Sequence, residues 1–266
     1  MDWPEDLRDL ILGYHARVKG GLEVDGSLIS DIDEEEIRGF CREIRKLGRG
    51  AIRAVVVNGV FSPIDDPGVN GGGGGHRQEE RAAEIIRSEL GKEGGDVMDV
   101  DVVCSKDVAN LGFLERENAA ILNASILRFA RRTIREFRAA VKRLGLRGVP
   151  VLITQNDGTV LKGEMAAKLP IKTFSSGPTN SMRGAAFLVQ GMQNAEGPKE
   201  GAEKGKAMMV VDIGGTTTDV GLLLPNGFPR QQAAYSELAG VRMVCYFASD
   251  NLRALRSTNL QCISVH

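Results

Sequence analysis

Apolar and polar positions alternate along this chain in blocks that predict helices and strands in turn. Helices are predicted over Leu7–Val18, Ile32–Gly48 and His76–Gly91; the second has an acidic first turn, a basic last turn and a glycine stop. Nearly uncharged, β-branched runs predict buried strands at Ala51–Ser62 and Asp96–Ser105. The order strand, helix, strand predicts a βαβ unit with a right-handed crossover, and therefore an α/β fold class.

The longest helical pattern runs from Leu114 to Leu144, and Asn123 is a candidate break in it. Apolar residues recur at three- and four-residue steps and predict one packed stripe: Leu127, Ala130, Ile134, Phe137, Val141 and Leu144. Arginines and lysines occupy the other faces. Nucleic-acid grooves use such surfaces, but the net charge of the chain is near zero, so a solvated helix face is the favoured interpretation.

Two hairpins and one further helix are predicted in the second half of the chain. The run 149–163 indicates a strand, an Asn-Asp-Gly turn and a return strand. A turn at Ser175–Pro178 precedes a predicted helix over Thr179–Met192. Met208–Leu224 then predicts two buried strands joined by the sequence DIGGTTTD.

Composition limits the class of protein without identifying it. The 266 residues carry a net charge of -1, which gives no electrostatic reason to expect nucleic acid or an anionic membrane as partner. No run approaches the roughly 20 apolar residues of a membrane span, and the acidic N-terminus lacks a secretory layout. Four cysteines without CxxC spacing are typical of reduced thiols. A cytoplasmic protein is therefore expected.

The chemistry of the chain is concentrated between Asp212 and Asp219. Gly214 and Gly215 permit positive φ angles and a close approach of backbone N–H groups to an anion. The hydroxyls that suit phosphate oxygens belong to Thr216, Thr217 and Thr218. The two bracketing carboxylates are the candidate catalytic residues, and Asp212 is the candidate Mg²⁺ ligand. We therefore predict a phosphate-binding hairpin of an ATP-handling fold.

Two commoner phosphate loops are excluded for this segment. A P-loop requires Gly-Lys-Ser/Thr leading into a helix, and no lysine occurs here. A dinucleotide fingerprint also requires a helix after the glycines, whereas VGLLLPNGFP predicts a strand and a turn. A plain structural hairpin is the remaining alternative. Two glycines and three threonines between two aspartates are less common in such turns, which favours phosphate binding.

Other polar residues are weaker candidates for a substrate-binding or supporting role. Ser175, Ser176 and Gly177 stand at a helix N-terminus that can bind an anion, although helix capping alone explains the pattern. Asn156 and Asp157 fit a turn whose own geometry favours them. A third group consists of Glu115, Arg116 and Asn123, for which core hydrogen bonding is favoured over a site role.

A series of motifs resembles the hydantoinase A/5-oxoprolinase family, within the acetate and sugar kinase, heat-shock chaperone and actin superfamily. The resemblance covers about Asp6 to Arg242. The motifs that match the family are AVVVNGVFSPID (54–65), ERENAAILNASIL (115–127), ITQNDGT (153–159), FSSGPTNSMRGAA (174–186) and VVDIGGTTTDVG (210–221). Their order and spacing fit that family, and the series is more specific than any single motif.

The resemblance implies a ribonuclease H-like architecture, ATP and Mg²⁺ as cofactors, and hydrolysis of a cyclic amide such as 5-oxoproline or a hydantoin. It implies a partial first domain over residues 1–190, the start of a second domain over 207–243, and an atypical tail over 244–266. A partner subunit or a homo-oligomer is also expected. A sugar- or acyl-kinase-like phosphotransferase and a non-catalytic fragment or subunit are the alternatives.

The chain departs from the family pattern in two places. The family carries an earlier phosphate loop of the same kind, and nothing like it precedes Asp212. After Met243 the sequence resembles no part of the family. An ATP site between two domains needs loops from both, so the expectation is a chain with reduced or no activity alone.

Overall fold

A computed structural model provides the coordinates. It describes residues 3–48, 50–65, 75–91, 99–110, 112–195, 208–213, 218–226, 228–230, 236–238, 241–243 and 260–265. The backbone divides into two compact units. Unit 1 consists of Met1–Ile126, Glu237–Val244 and Ala254–His266. Unit 2 consists of Leu127–Ser236 and Cys245–Arg253.

Helices and strands alternate along the chain. The α-helices are α1 Glu5–Ile11, α2 Glu34–Lys46, α3 Gln78–Gly91, α4 Phe113–Arg143, α5 Gly163–Ala166 and α6 Ser176–Ala195. The strands are β1 Leu12–Val18, β2 Ala54–Gly59, β3 Asp101–Cys104, β4 Leu152–Thr154, β5 Val160–Lys162, β6 Met208–Ile213, β7 Thr218–Leu223, β8 Ser236–Leu238, β9 Val241–Met243 and β10 Leu260–Val265. This content confirms the mixed α/β class; the ribonuclease H-like architecture and the predicted domain boundaries stay predictions.

Unit 1 is built on a parallel sheet with the strand order β1-β10-β2-β3. Strand β2 pairs with β3 from Ala54 opposite Asp101, and with β10 from Ala54 opposite Leu260. Every residue of β2 is buried, as its uncharged sequence predicts. The core contains side chains of α2, β2 and α3: Ile37, Phe40, Ile44, Val55, Val57, Ile86 and Leu90. The predicted strand–helix–strand unit is therefore confirmed as β2–α3–β3.

The start of α2 follows from its sequence. The Asp33 carboxylate accepts hydrogen bonds from the backbone N–H groups of Glu35 (3.0 Å) and Glu36 (3.1 Å). These N–H groups have no partner inside the helix, and an aspartate at this position satisfies them. Gly48 follows the helix with φ of 87°, a conformation that glycine adopts without strain.

The predicted helix over Leu7–Val18 is wrong in its second half. Helix α1 ends at Ile11, and the following residues form strand β1. Strand β1 pairs in parallel with β10, with Ala16 opposite Ile263 and Val18 opposite Val265. The partner lies more than 240 positions away along the chain. Local periodicity cannot detect such pairing, which overrides weak local propensity.

Helix α4 is continuous, so the candidate break at Asn123 is absent; that side chain is fully buried. The predicted apolar stripe is packed only in part. Leu127 and Ile134 are buried, whereas Phe137 is 55% exposed and Leu144 is 76% exposed. Helical periodicity fixes which residues share a face, but it does not ensure that another element covers that face.

Unit 2 contains two antiparallel hairpins, β4–β5 and β6–β7, together with α5 and α6. Both hairpins were predicted from the sequence. Helix α6 starts at Ser176, three residues before the predicted start. None of the helices in the described ranges combines the length and apolar character that a membrane crossing requires.

Candidate functional site

The hairpin β6–β7 positions the two candidate catalytic carboxylates. Six residue pairs join its strands, from Met208 opposite Leu223 to Ile213 opposite Thr218. Asp212 stands directly opposite Asp219. The predicted phosphate turn, Gly214 to Thr217, lies outside the described residues. Thr218 is described only as the first residue of β7. The hairpin therefore holds the two ends of the predicted loop in register.

The hairpin has one packed face and one open face because strand side chains alternate. Met208, Val210 and Leu223 pack against Met182 and Ala186 of α6. Asp212 follows Val210 by two positions, so the Asp212–Asp219 pair extends this packed face toward the turn. The alternate residues are exposed: Met209, Val211, Ile213 and Val220.

Gly221 lets α6 approach the hairpin closely. A Cβ atom on this residue would lie 2.1 Å from Met182 Sδ and 2.3 Å from Met182 Cε. Met182 is fully buried, so it has little room to move aside. Glycine in a strand interior often marks such an approach. The last glycine of the motif VVDIGGTTTDVG thus has a packing role that composition alone does not reveal.

The Asp212–Asp219 pair fits a divalent cation. Directly opposed residues in an antiparallel ladder have Cβ atoms about 4.5–5.5 Å apart, and like charges there destabilise the hairpin. Both aspartates are half-buried. Carboxylate oxygens are preferred Mg²⁺ ligands, and a cation between them would remove the repulsion. Among the described residues there is no cluster of three or more histidine, cysteine or acidic side chains around a metal position.

The turn Gln155–Thr159 is ordered by its own side chains. The Asp157 carboxylate accepts hydrogen bonds from Thr159 N–H (2.8 Å) and Thr159 Oγ1–H (2.6 Å). Gln155 Nε2 donates to Thr159 Oγ1. Gly158 has φ of 83°. Asn156 is buried, and its N–H donates to the Lys172 carbonyl (2.7 Å). These contacts account for the turn residues as structural features.

The start of α6 lies beside this turn. Thr179 is fully buried, and its hydroxyl donates to the Asn156 carbonyl (2.9 Å). Ser176 and Gly177 form the first turn of the helix. Ser175, just before it, has φ of 56°, an uncommon conformation for a residue with a side chain. The structure thus brings together the predicted groups 156–157 and 175–177.

Arg183 belongs to this cluster and was missed by sequence reasoning. Its guanidinium lies over the Phe228 ring, 4.1 Å from the ring centre, a cation–π contact. Its Cδ lies 3.0 Å from the position of a Cβ on Gly158. Arg183 Nη1 is buried and donates no hydrogen bond to any described residue. An arginine inside a helical pattern gives no signal of such a stacking partner 45 residues later.

The candidate residues fall into two clusters at opposite ends of the hairpin. Pro229 pairs with Leu223, at the end remote from the predicted phosphate turn. Gly158 lies at that same end, because a Cβ on it would be 3.5 Å from Pro229 Cδ. Four strand steps separate Leu223 from Asp219, which corresponds to about 14 Å. The structure therefore does not bring Asn156 and Asp157 to the Asp212–Asp219 pair.

Arg116 and Asn123, in unit 1, are core-facing, as favoured from the sequence. Arg116 is 1% exposed, and its Nε donates to Ser105 Oγ (2.7 Å).

The cysteines described with their side chains, Cys41 and Cys104, are free and buried. Burial raises the pKa of both thiols to about 12, so neither is a ready nucleophile.

Comparison with known proteins identifies a family for much of this region. Residues 116–245 match the family described as Hydantoinase/oxoprolinase. This match includes the turn 155–159, α6 and the hairpin β6–β7. No curated protein matches the chain.

Among solved structures, the chain is similar to nucleotide-free acetone carboxylase, from work on the mechanism of ATP-dependent acetone carboxylation. The TM-score is 0.62 at 20% sequence identity, over 87% of this chain and 28% of that chain. At this identity the likeness concerns the fold alone. The chain thus spans little more than a quarter of the length of that structure and carries a hydantoinase/oxoprolinase domain over residues 116–245.

Proposed function

We propose that this chain takes part in ATP-dependent hydrolysis of a cyclic amide, of the hydantoinase or 5-oxoprolinase type. The observation that carries the proposal is the Asp212–Asp219 pair, placed opposite each other where the phosphate turn begins, inside a hydantoinase/oxoprolinase domain. ATP and Mg²⁺ are the proposed cofactors. 5-Oxoproline and hydantoins are the proposed substrates.

In this proposal each part of the loop has a separate task. Asp212 and Asp219 hold Mg²⁺, with Asp212 as the principal ligand. A Mg²⁺ ion held there would supply positive charge to the phosphates of ATP. Gly214, Gly215 and the threonines 216–218 supply N–H and hydroxyl donors to phosphate oxygens. Such an arrangement favours phosphoryl transfer through positioning and charge stabilisation, without a nucleophilic triad.

ATP is needed because a five-membered lactam resists direct hydrolysis. Transfer of the γ-phosphoryl group to the amide oxygen would release ADP and leave a better leaving group on the ring carbon. Water would then add to that carbon, and the C–N bond would break with proton transfer to nitrogen, giving an acyl phosphate and an amine. A second water would hydrolyse the acyl phosphate to a carboxylate and phosphate. The protein's own contribution is to align the phosphate with the amide oxygen.

The second cluster is proposed to act through position rather than contact with the phosphates. It lies about 14 Å along the hairpin from the aspartate pair. The Asn156 carbonyl accepts from Thr179, which fixes the first turns of α6. Helix α6 in turn supports the hairpin through Met182 and Gly221. Asn156, Asp157 and the serines 175 and 176 are therefore proposed as positioning residues.

A second candidate function is ATP-dependent carboxylation of a ketone. Its support is the likeness of 87% of this chain to acetone carboxylase. Both reactions consume ATP, so the aspartate pair does not distinguish between them. Substrate-dependent ATP hydrolysis does distinguish them, because 5-oxoproline or hydantoin would stimulate one reaction and acetone with bicarbonate the other.

Titration calorimetry of the full chain with ATP, with and without Mg²⁺, tests the site. Asp212→Asn is expected to weaken Mg²⁺-dependent binding about 10- to 100-fold, since a charged contact contributes roughly 1.5–3 kcal/mol. Without ligand, the same variant is expected to be slightly more stable than the wild type, because the opposed charges are removed. A purely structural aspartate would not give these opposite signs.

Asp9→Asn is the matched control, with the same chemical change on α1, where the side chain is 68% exposed. It is expected to retain ATP affinity. No ATP binding by the wild type, with or without Mg²⁺, would exclude both candidate functions for this chain. Binding that is equal in wild type and Asp212→Asn would exclude the proposed metal ligand.

A further inference from the structure

The second half of α4 and the turn after it form a strongly basic surface. Residues 127–149, which we call the α4 basic surface, contain eight cationic side chains and one acidic residue, Glu136. All eight cations are exposed: Arg128, Arg131, Arg132, Arg135, Arg138, Lys142, Arg143 and Arg147. The chain as a whole has a net charge of -1, so the positive charge is locally concentrated.

Large apolar side chains are exposed on the same surface. Phe129 is 73% exposed, Phe137 55% and Leu144 76%. At 3.6 residues per turn these three residues share one arc of the helix, next to the arc that carries the arginines. Leu127 and Ile134, on another arc of the helix, are buried. The exposed side thus combines a wide cationic arc with a narrower apolar arc, whereas a merely solvated face would be polar throughout.

An open depression lies at the C-terminal end of this surface. Its volume is about 400 Å³, and its cationic lining is Arg138, Lys142 and Arg147. Val141, Leu146, Val149 and Val151 supply aliphatic walls. Arg138 forms an ion pair with Glu164 at 2.6 Å, with both side chains more than half exposed. Three cations above aliphatic walls suit an amphiphilic anion.

We propose that the α4 basic surface binds the anionic face of a lipid bilayer. The cations contact lipid phosphates and carboxylates, while Phe129, Phe137 and Leu144 enter the headgroup layer. A helix with basic and aromatic or leucine arcs side by side has the composition of interfacial membrane helices. The expectation of no membrane partner rested on the net charge, which conceals this local concentration.

Lipid fits the surface better than nucleic acid does. Single-stranded nucleic acid requires aromatic faces among the cations for base stacking. Here the aromatic residues form a separate arc, and the depression is walled by aliphatic side chains. Lipid headgroups and upper acyl segments match both features. The charge complementarity is the same for either ligand, so the apolar arc decides between them.

Co-sedimentation of the full chain with vesicles tests the proposal. Vesicles of phosphatidylcholine alone are compared with vesicles that also contain phosphatidylserine, at low and at high salt. Binding is expected only with phosphatidylserine and is expected to weaken as salt rises. Arg132→Gln with Arg143→Gln should weaken binding about 25-fold, from about fivefold per cation removed. Phe129→Ser with Phe137→Ser should also weaken binding, with the charge unchanged.

The matched control is Arg42→Gln with Lys46→Gln on α2, where the side chains are 59% and 69% exposed. It removes the same charge elsewhere and should leave vesicle binding unchanged. Circular dichroism verifies that each variant is folded. Absence of binding to phosphatidylserine vesicles would overturn the proposal. So would binding that the serine variants leave intact, or binding to single-stranded RNA in preference to vesicles.

Discussion

At the scale of single residues, Glu79 is a buried carboxylate of unit 1 held by several hydrogen bonds. It is fully buried and accepts hydrogen bonds from Gly59 N–H (2.7 Å), Ser105 Oγ–H (2.6 Å) and Lys106 N–H (3.1 Å). Arg116 donates to the same Ser105 hydroxyl. The Glu79 carboxylate, in the first turn of α3, thus contacts the ends of β2 and β3 directly. It is connected to the first turn of α4 through Ser105. Burial raises the pKa of Glu79, and these hydrogen bonds only partly oppose the shift.

The raised pKa of Glu79 predicts the pH dependence of stability. A carboxyl group whose pKa is higher in the folded state binds its proton more readily there than in the unfolded chain. The stability that this group gives the folded state is fully present below its ordinary pKa of 4.5. It is lost as pH rises through the raised pKa of the folded state. The stability advantage of wild type over Glu79→Gln is therefore expected to shrink as pH rises. Urea unfolding of both proteins across this range measures it.

Glu84→Gln is the control for this comparison, since Glu84 lies on the same helix with its side chain 54% exposed. Its stability difference from the wild type should vary little with pH. An advantage of wild type over Glu79→Gln that grows with pH would contradict the prediction. That result would mean that Arg116 and the N–H donors outweigh burial.

At the scale of elements, the contact between α6 and the hairpin β6–β7 requires a residue without a side chain at position 221. Gly221→Ala would place a Cβ 2.1 Å from Met182 Sδ in a packed core. The free energy of unfolding is expected to fall by about 1–3 kcal/mol, a typical cost of overpacking. Chemical denaturation measures this change.

Two further variants make the Gly221 prediction specific. Met182→Ala removes the opposing side chain, so the double variant should be more stable than the sum of the two single changes predicts. Gly184 lies on the same helix, and a Cβ added there would have nothing within 4 Å. Gly184→Ala is therefore the control for a glycine that is not closely packed. It should stabilise α6 by about 0.5–1 kcal/mol. Additive effects of Gly221→Ala and Met182→Ala would refute the steric explanation.

The elements differ in how far the sequence predicts them. The alternation from Met208 to Ile213 and the capping by Asp33 are local signals, so hairpin and helix follow from the chain itself. The motif predicts Asp212 and Asp219 as a pair, and strand pairing places them opposite each other. Arg183 on Phe228 depends on a tertiary contact without a local signature. The separation of about 14 Å between the two clusters likewise follows only from the register of the folded hairpin.

At the scale of the whole molecule, unit 1 depends on a strand that is remote in sequence. Strand β10 pairs with β1 on one side and with β2 on the other. The sequence after Met243 resembles no part of the family, so nothing in the motif series indicates a strand there. A six-residue segment gains its structure here from two neighbours rather than from its own propensity.

Proline in β10 tests its place in the sheet. Ile263→Pro removes a ladder hydrogen bond and is expected to cost about 3 kcal/mol or more, whereas Ile263→Val is expected to be mild. Hydrogen exchange should increase in β1 and β2 of the proline variant, with β6 and β7 unchanged. Unaltered exchange of Val55–Val57 in the proline variant would show that β10 does not support β2.

The position of β10 has a consequence for the order of events during synthesis. The ribosome must produce residue 265 before the gap between β1 and β2 can close, although β1 has emerged some 240 residues earlier. At roughly 5–20 residues per second this leaves many seconds in which the β1 and β2 edges are available to other chains. Residues 127–236 are complete before that moment. A chaperone that shields early-emerging strands is therefore expected to raise the yield of folded chain.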